Sequence, residues 1–393
     1  MAAHVRTAAT LTVLCGLLAA CDVVGPLGSG GSDPGGPVEG VPGSSTARPA
    51  FTGAPSLELP PGSVRTVATG LRIPWGLAFL PDDTALVTER GNPGVDSIGV
   101  PRILSVTADG KVSEAQRLSE VDLLVGEGGL LGIAVSPNYA NDHWVFVYYS
   151  AVNDNRIGRL RLGQPLEPIL TGIPVTGIGS RYHQGGRLAF GPDGMLYASV
   201  GETYYDSLIA QDRDSLGGKI LRMTADGKPA PGNPFPGSLV WSYGHRNVQG
   251  LAWDAQGRMY ASELGSKTYD ELNLIEPGRN YGWPLVEGFS TNPELTNPIA
   301  TWTPTSIASP SGIAVLGNHV YIACLRGQAL YRVDLDGRQP RKVLSTYGRL
   351  RTVAVAPDGS LWVMTSNLDQ VAGEDGVPRT AEGDRILRVT PPP

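Results

Sequence analysis

The sequence predicts an all-β protein, a six-bladed β-propeller, and three observations carry that reading. A short run with alanine at its centre recurs six times and is followed each time by a turn and a strand. The chain is rich in turn formers, with 52 Gly and 33 Pro among 393 residues, which suits many short strands joined tightly rather than long helices. Past the N-terminal leader, no segment carries a helical apolar period of useful length.

The repeat begins near Val64. Its runs are GLAF, GIAV, RLAF, GLAW, GIAV and TVAV, centred on Ala78, Ala134, Ala189, Ala252, Ala314 and Ala354. Turns such as GPDG, DAQG and APDG follow, then strands rich in Val, Tyr and Trp (HWVFVYYS, MLYASVG, SLWVMTS). A further amphipathic strand usually comes next, with the period-2 alternation of LYRVDLD and ILRVT expected of a blade strand with one wetted face. Six strand–turn–strand–turn–strand units at this spacing indicate a propeller. Closing the ring removes exposed sheet edge, and the expected seal pairs Val64 to Ala68 with strands from the C-terminus. The uneven spacing puts long loops on some blades, where sites are commonly built.

Upstream of the repeat, Arg6 precedes an almost uncharged apolar run from Ala8 to Ala20, too short to span a bilayer and suited to a signal sequence over residues 1–20. It ends in Leu18-Ala19-Ala20-Cys21, which resembles a bacterial lipobox, so acylation of Cys21 is expected; ordinary cleavage at a small-residue site is the alternative. Residues 21–62 are dominated by Gly, Pro and Ser and read as a flexible tether, leaving residues 63–393 as the propeller. The expected location is the outer face of the cell membrane, held by the lipid anchor alone, or periplasmic or extracellular without it. Only Cys324 remains in the propeller, which excludes an internal disulfide and reads as a small buried strand residue.

Charge and motifs exclude several functions. A net charge of −6 with few aromatics offers no basic stripe for nucleic acid. HExxH, paired CxxC and GxSxG are absent, and the Gly217-Gly218-Lys219 triplet lacks the upstream glycine of a phosphate-binding loop, position 213 being Arg. Of five histidines, His4 lies in the leader, while His143 and His319 sit at strand starts. His183 and His245 lie in Gly-rich loops just before inner strands. A lone loop imidazole is usually structural, but His183 shares its blade with Glu202, at the exit of the next strand, and a carboxylate behind an imidazole fixes its tautomer and raises its basicity. Arg246 and Asn247 follow His245. Acidic residues in the Gly-containing loop from Ser262 to Asn273, which runs on to Tyr281 and Trp283, offer the oxygen ligands Ca²⁺ prefers. Arg326, Arg349 and Arg351 stand near inner-strand entrances. Each could be a solvated surface charge, but together on a ring axis they would suit a multiply carboxylated ligand.

Read in order, GEGGLLGIAVSPNY, HQGGRLAFGPDGMLY, YGHRNVQGLAWD, DELNLIEPGRNYGWP and RLRTVAVAPDG resemble the soluble PQQ-dependent glucose/sorbosone dehydrogenase family, in particular its aldose sugar dehydrogenase branch. The resemblance covers about Val64 to Val389. It implies oxidation of an aldose at C1 to its lactone, with pyrroloquinoline quinone (PQQ) and Ca²⁺ as cofactors and electrons leaving to an external acceptor such as a quinone, cytochrome or dye. By the same resemblance, His183 is the base that takes the anomeric hydroxyl proton while hydride passes to PQQ, and Glu202 supports it where an Asp is usual. Arg246 and Asn247 are PQQ contacts, Arg246 near the quinone oxygen that gains charge. Arg326 stands where Lys is common, and Arg349 with Arg351 grips PQQ carboxylates. The carbonyls of Gly265 and Ser266 hold the PQQ-bound Ca²⁺, while Glu271, Asp270 and the Tyr281 carbonyl match a second, structural Ca²⁺ site. Glu127 replaces a Gln and adds negative charge near an anionic cofactor. Ser207 and Ser306 fall where other polar contacts occur, Ser306 among the cofactor contacts. Two other readings compete: a non-catalytic sugar- or protein-binding propeller lipoprotein that has lost the cofactor, and a Ca²⁺-dependent lactonase. The first would be signalled by loss of His183, Arg246 or the Arg349/Arg351 pair, and the second by carboxylates converging on the axis.

Overall fold

A computed structural model of the chain describes residues 50–91, 100–122, 126–175, 182–369 and 383–391. All belong to one compact unit, Ala47–Pro393. The leader, Cys21 and most of the tether lie outside the described residues. No helix among the described residues is long and apolar enough to cross a membrane.

Six sheets make up the unit, each a blade of antiparallel strands that follow one another in the chain, apart from two N-terminal strands that join the fourth and sixth blades. Their innermost strands are Pro74–Phe79, Leu130–Val135, Leu188–Phe190, Val248–Trp253, Pro310–Leu316 and Leu350–Val355. These are the six alanine-centred runs. Second strands such as Val145–Ser150 and Leu361–Thr365 are buried along their whole length because blades cover both faces. Each blade has a fourth strand as well; the sixth blade's, Val64–Leu71, is the expected seal, and the other five were not revealed by the three-strand repeat. Val112–Arg117 and Glu167–Ile173 are examples, and their exposed, charged or Pro-containing sequences read poorly as strands.

The sixth blade closes the ring. Val64–Leu71 pairs antiparallel with Asp384–Val389, with Val64 opposite Val389 and Ala68 opposite Ile386, as the sequence leads one to expect. Ala50–Phe51, assigned from the sequence to the tether, adds in parallel to the edge of the fourth blade beside Thr301 and Trp302. Leu57 donates its backbone N–H to Lys342 O at 2.7 Å and packs with Leu59 against the core. The apolar residues scattered through this end of the Gly/Pro-rich stretch thus find partners, and the chain is paired with the propeller from Ala50 onward.

Side chains between adjacent blades form the core. Trp75, Phe146, Tyr148 and Leu188 pack in one layer, Tyr260, Trp302, Cys324 and Tyr331 in another. Cys324 is fully buried. Around the axis the inner strands approach so closely that a Cβ on Gly132 would lie 2.2 Å from Gly186 O and one on Gly250 2.4 Å from Ser311 O. The repeated glycine of the GIAV and GLAW runs is therefore a packing requirement. In the third blade the same place is taken by Arg187, whose guanidinium lies over the Trp75 ring at 4.3 Å, donates to Gln249 O at 2.8 Å and reaches Thr352 Oγ1 at 3.0 Å. One side chain thus ties four blades together across the axis.

Candidate active site

The start of each inner strand and the exit of the second strand are hydrogen-bonded neighbours, as in the pairing of Leu188 with Ala198. That topology brings the loops containing His183, Glu202, Arg246, Gly265, Arg349 and Asp369 to one end of the ring. His183 occupies a left-handed conformation (φ 55°). Its backbone N–H donates to Glu127 Oε2 at 3.0 Å, and Gly185 N–H donates to Asn247 Oδ1 at 3.0 Å. The facing strand exit must be glycine, because a Cβ on Gly201 would meet His183 O at 1.7 Å.

With its backbone fixed, the imidazole is held from both sides. Nδ1 lies 2.6 Å from Glu202 Oε1, and both side chains are buried. Glu202 Oε2 accepts the Tyr204 backbone N–H at 3.0 Å, and Glu202 N–H donates to Arg246 O at 2.9 Å. A carboxylate at Nδ1 keeps the proton there and leaves the Nε2 lone pair available. Nε2 accepts from Arg246 Nη2 at 3.0 Å. Arg246 Nη1 donates to Leu264 O at 3.0 Å, its guanidinium carbon lies 5.4 Å from the centre of the Trp283 ring, and burial pushes its pKa down.

His245 plays a different part. It is fully buried, with Nε2 at 2.8 Å from Ser242 Oγ, Nδ1 at 3.0 Å from Glu263 Oε2, and its ring stacked on Tyr281 at 4.7 Å. Both nitrogens are engaged, so it is a pillar under the Arg246 loop. Glu263 adds to this by accepting the Arg246 backbone N–H.

Arg349 and Arg351 are both buried. Arg351 Nη1 donates to Gln249 Oε1 at 2.8 Å, and its Nη2 pairs with Asp369, which also holds Arg90 at 2.8 Å. Burial raises the Asp369 pKa, but the charges of Arg90, Arg351 and Arg349 outweigh it and bring the carboxyl below its ordinary value. Arg90 and Asp369, which no motif marks, thus complete the arginine cluster. Ser306 and Arg326 are exposed, Ser306 on a single 3-10 turn and Arg326 in the loop after the fifth blade's second strand. Ser207 opens another 3-10 turn, Ser207–Ala210.

The acidic loop lies beside Arg246 in a cleft lined by Gly244, Arg246, Glu263, Gly265, Glu271 and Glu287. Asp270 accepts from Gly265 N–H (2.9 Å) and Ser309 N–H (2.7 Å), and burial pushes its carboxyl up to about 7. Burial and then the Glu263 charge push Glu271 up to about 8. Asn273 Nδ2 reaches both Glu263 and Glu271, and Tyr281 is buried alongside. Two carboxyls and nearby carbonyls in one low-dielectric pocket suit a hard divalent cation. Among the described residues, no three His, Cys, Asp or Glu side chains form a side-chain metal cage.

The polar groups also fit an acceptor-rich, multiply anionic cofactor. Arg246 Nε, Asn247 Nδ2 and Arg351 Nε are buried N–H groups without a partner among the described residues, and such groups are costly unless a ligand satisfies them. At the mouth, Tyr182, Tyr204 and Tyr205 are exposed; Tyr204 packs tilted against Tyr182 and edge to face against Tyr205, and its ring lies 5.0 Å from that of His183.

The family model of glucose / sorbosone dehydrogenases matches residues 71–372. The chain belongs to the glucose/sorbosone dehydrogenase family. Among curated relatives, the aldose sugar dehydrogenase YliI of Escherichia coli is 30% identical over 355 residues, covering 79% of this chain and 91% of that protein. The quinoprotein glucose dehydrogenase B of Acinetobacter calcoaceticus is 29% identical over 262 residues, covering 57% of this chain and 53% of that protein. Among solved structures, the PQQ-bound aldose sugar dehydrogenase of Streptomyces coelicolor is 49% identical, with a TM-score of 0.74 and coverage of 83% of this chain and 97% of that one. This glucose/sorbosone dehydrogenase family member therefore has the fold of PQQ-type aldose sugar dehydrogenases.

Proposed function

We propose that this oxidoreductase oxidises aldoses at C1 to lactones, using PQQ and Ca²⁺ and passing electrons to an external acceptor. The observation that carries the reading is the His183 imidazole, held at Nδ1 by buried Glu202 and with its Nε2 lone pair accepting from Arg246 Nη2. An imidazole so held is built to take a proton. Bound PQQ supplies the two-electron acceptor that no side chain here provides, and Ca²⁺ supplies Lewis acidity.

His183 Nε2 would take the anomeric hydroxyl proton in place of its hydrogen bond from Arg246 Nη2. Glu202 stabilises the resulting imidazolium. Arg246 offers a fixed positive charge and an unsatisfied Nε–H to negative charge developing on a bound group. Asn247 Nδ2, Arg349 and Arg351 are the residues that would hold PQQ, with Arg326 and Ser306 as outer contacts. Glu127 counts among the cofactor-binding residues in this proposal, and its Oε2 also clamps the His183 backbone. Gly265 and Ser266 would hold one cation, and Asp270, Glu271 and the Tyr281 carbonyl the second. Tyr182, Tyr204 and Tyr205 offer ring faces to the apolar C–H faces of a sugar. The competing non-catalytic reading is disfavoured by family membership and by the intact His183–Glu202–Arg246 set.

The proposal extends to location. A leader ending in Leu18-Ala19-Ala20-Cys21 supports export and acylation at Cys21, and intact-mass analysis of membrane-extracted protein would reveal a diacylglyceryl adduct or its absence. For the reaction, the purified protein is mixed with PQQ and Ca²⁺, and dye reduction is followed across a panel of aldoses with lactone analysis. Aldose-dependent turnover requiring both cofactors supports the proposal. PQQ binding without oxidation of any aldose, or no PQQ binding, contradicts it.

A further inference from the structure

One carboxylate in the acidic cleft does something that neither its sequence position nor the cation ligand set suggests. Glu287 Oε1 accepts four consecutive backbone N–H groups: Ser266 at 2.6 Å, Lys267 at 3.1 Å, Thr268 at 3.2 Å and Tyr269 at 3.2 Å. Successive N–H groups converging on one anion form a nest, here filled by the chain's own side chain. A trans peptide is planar, with its C=O opposed to its N–H. The Ser266 N–H belongs to the peptide whose carbonyl is that of Gly265, and the Lys267 N–H to the peptide whose carbonyl is that of Ser266. Drawing those two N–H groups onto Glu287 turns the Gly265 and Ser266 carbonyls away from it.

The rest of the loop is fixed to match. Gly265 N–H is held by Asp270 at 2.9 Å, and Arg246 binds the carbonyl of Leu264, just ahead of the two carbonyls in question. A Cβ on Gly265 would lie 1.8 Å from Tyr269 O, and one on Gly288 2.6 Å from the Tyr269 ring, so the turn and the segment carrying Glu287 close on each other. Gly288 N–H in turn donates to Glu271 Oε1 at 2.7 Å. A negative charge on the N–H side of a peptide also polarises its carbonyl, raising its strength as a donor to a cation.

We infer that Glu287 is a positioning residue for the cofactor cation: it aims and polarises the Gly265 and Ser266 carbonyls from behind without itself binding the metal. The inference rests on the PQQ and Ca²⁺ reading above. Its test is a Ca²⁺ titration of the PQQ absorbance change in the purified protein, comparing wild type with Glu287→Gln and Glu287→Leu. Outer partners of metal ligands typically matter by about 10–100-fold in affinity; Glu287→Leu is expected to raise the Ca²⁺ midpoint by a factor in that range, and Glu287→Gln, which keeps an acceptor but no charge, by less. Saturating Ca²⁺ restores the full PQQ signal in both, an outcome that a collapsed loop would not allow. An unchanged midpoint in folded Glu287→Leu overturns the inference, as does loss of PQQ binding at every Ca²⁺ concentration in both variants. If Glu287→Leu does not fold by circular dichroism, Glu287→Gln decides alone, a raised midpoint supporting the inference and an unchanged one overturning it. A wild-type protein with no PQQ signal contradicts the dehydrogenase reading and the cation role together, whereas a Ca²⁺-dependent wild type with indifferent variants contradicts only the role of Glu287.

Discussion

Glu202 serves two partners at once: its Oε1 lies 2.6 Å from His183 Nδ1, and its Oε2 accepts the Tyr204 backbone N–H at 3.0 Å. Thr203 and Tyr204 both have positive φ (71° and 68°), an uncommon conformation, especially for a β-branched residue. The second oxygen anchors that turn while the first orients the His183 imidazole. The extra methylene relative to Asp is thus accounted for by reach. Glu202→Gln cannot accept at both oxygens, so kcat is expected to fall about 10²-fold, the low end of what a positioned proton-transfer group contributes, with PQQ affinity little changed. Glu202→Asp keeps the charge but is too short to serve both partners, and should fall between the two. Steady-state kinetics with a parallel PQQ titration decide this; equal losses in kcat and PQQ affinity would point to a general loosening of the site.

Tyr204 stands edge-on to His183 and exposed at the mouth. Tyr204→Ala is expected to raise the aldose KM severalfold, an aromatic contact being worth about 1 kcal/mol, with kcat reduced less than KM is raised. An unaltered KM across the aldose panel would remove the tyrosine from sugar recognition.

Asp369 is buried between Arg90 and Arg351. Removing one partner of a buried charge pair typically costs about 3–5 kcal/mol, because the charges left behind stay desolvated. Asp369→Asn is expected to destabilise the cofactor-free protein by an amount in that range in denaturant unfolding. A loss below about 1 kcal/mol, the size of an exposed pair, would show that solvent reaches these guanidinium groups.

Glu271 faces the Glu263 charge from a buried position and accepts the Gly288 N–H. Glu271→Gln keeps an acceptor and removes the repulsion. Without Ca²⁺ near pH 8, the variant is expected to melt about 2 °C or more above wild type, the scale of a ~1 kcal/mol gain in a large domain. Added Ca²⁺ should raise the wild-type melting temperature and leave the variant's nearly unchanged. Equal Ca²⁺ responses in both would take Glu271 out of cation binding.

The six blades were legible because each inner strand carries the same Ala-centred run and its partner strand is apolar on both faces. The fourth strands of the first five blades were not: Val112–Arg117 is a polar edge segment, and Ala300–Trp302 is only three residues long, so the pairing of each is set by the neighbouring strand. His183 and Glu202 could be singled out because both lie in Gly-containing loops at the ends of strands of one blade, whereas Arg246 and Asn247 entered through the family resemblance. Arg90, Asp369 and Glu287 could not be singled out. Arg90 and Asp369 come from opposite ends of the repeat array and meet only when the ring closes. Glu287 acts on main-chain N–H groups 18 to 21 residues before it, and backbone groups leave no mark in a sequence. Arg187 stood within a quoted motif, but its reach across the axis depends on the glycines in neighbouring blades.

The central claim is that a fixed, lone-pair-bearing His183 takes the proton when an aldose is oxidised. The most direct measurement follows the absorbance of PQQ bound with Ca²⁺ to the wild-type protein and to His183→Asn after aldose is added with no electron acceptor. The account predicts rapid conversion to the reduced spectrum in wild type, and in His183→Asn conversion slowed by about 10²–10⁴-fold with PQQ still bound. Equal rates in the two proteins would contradict it.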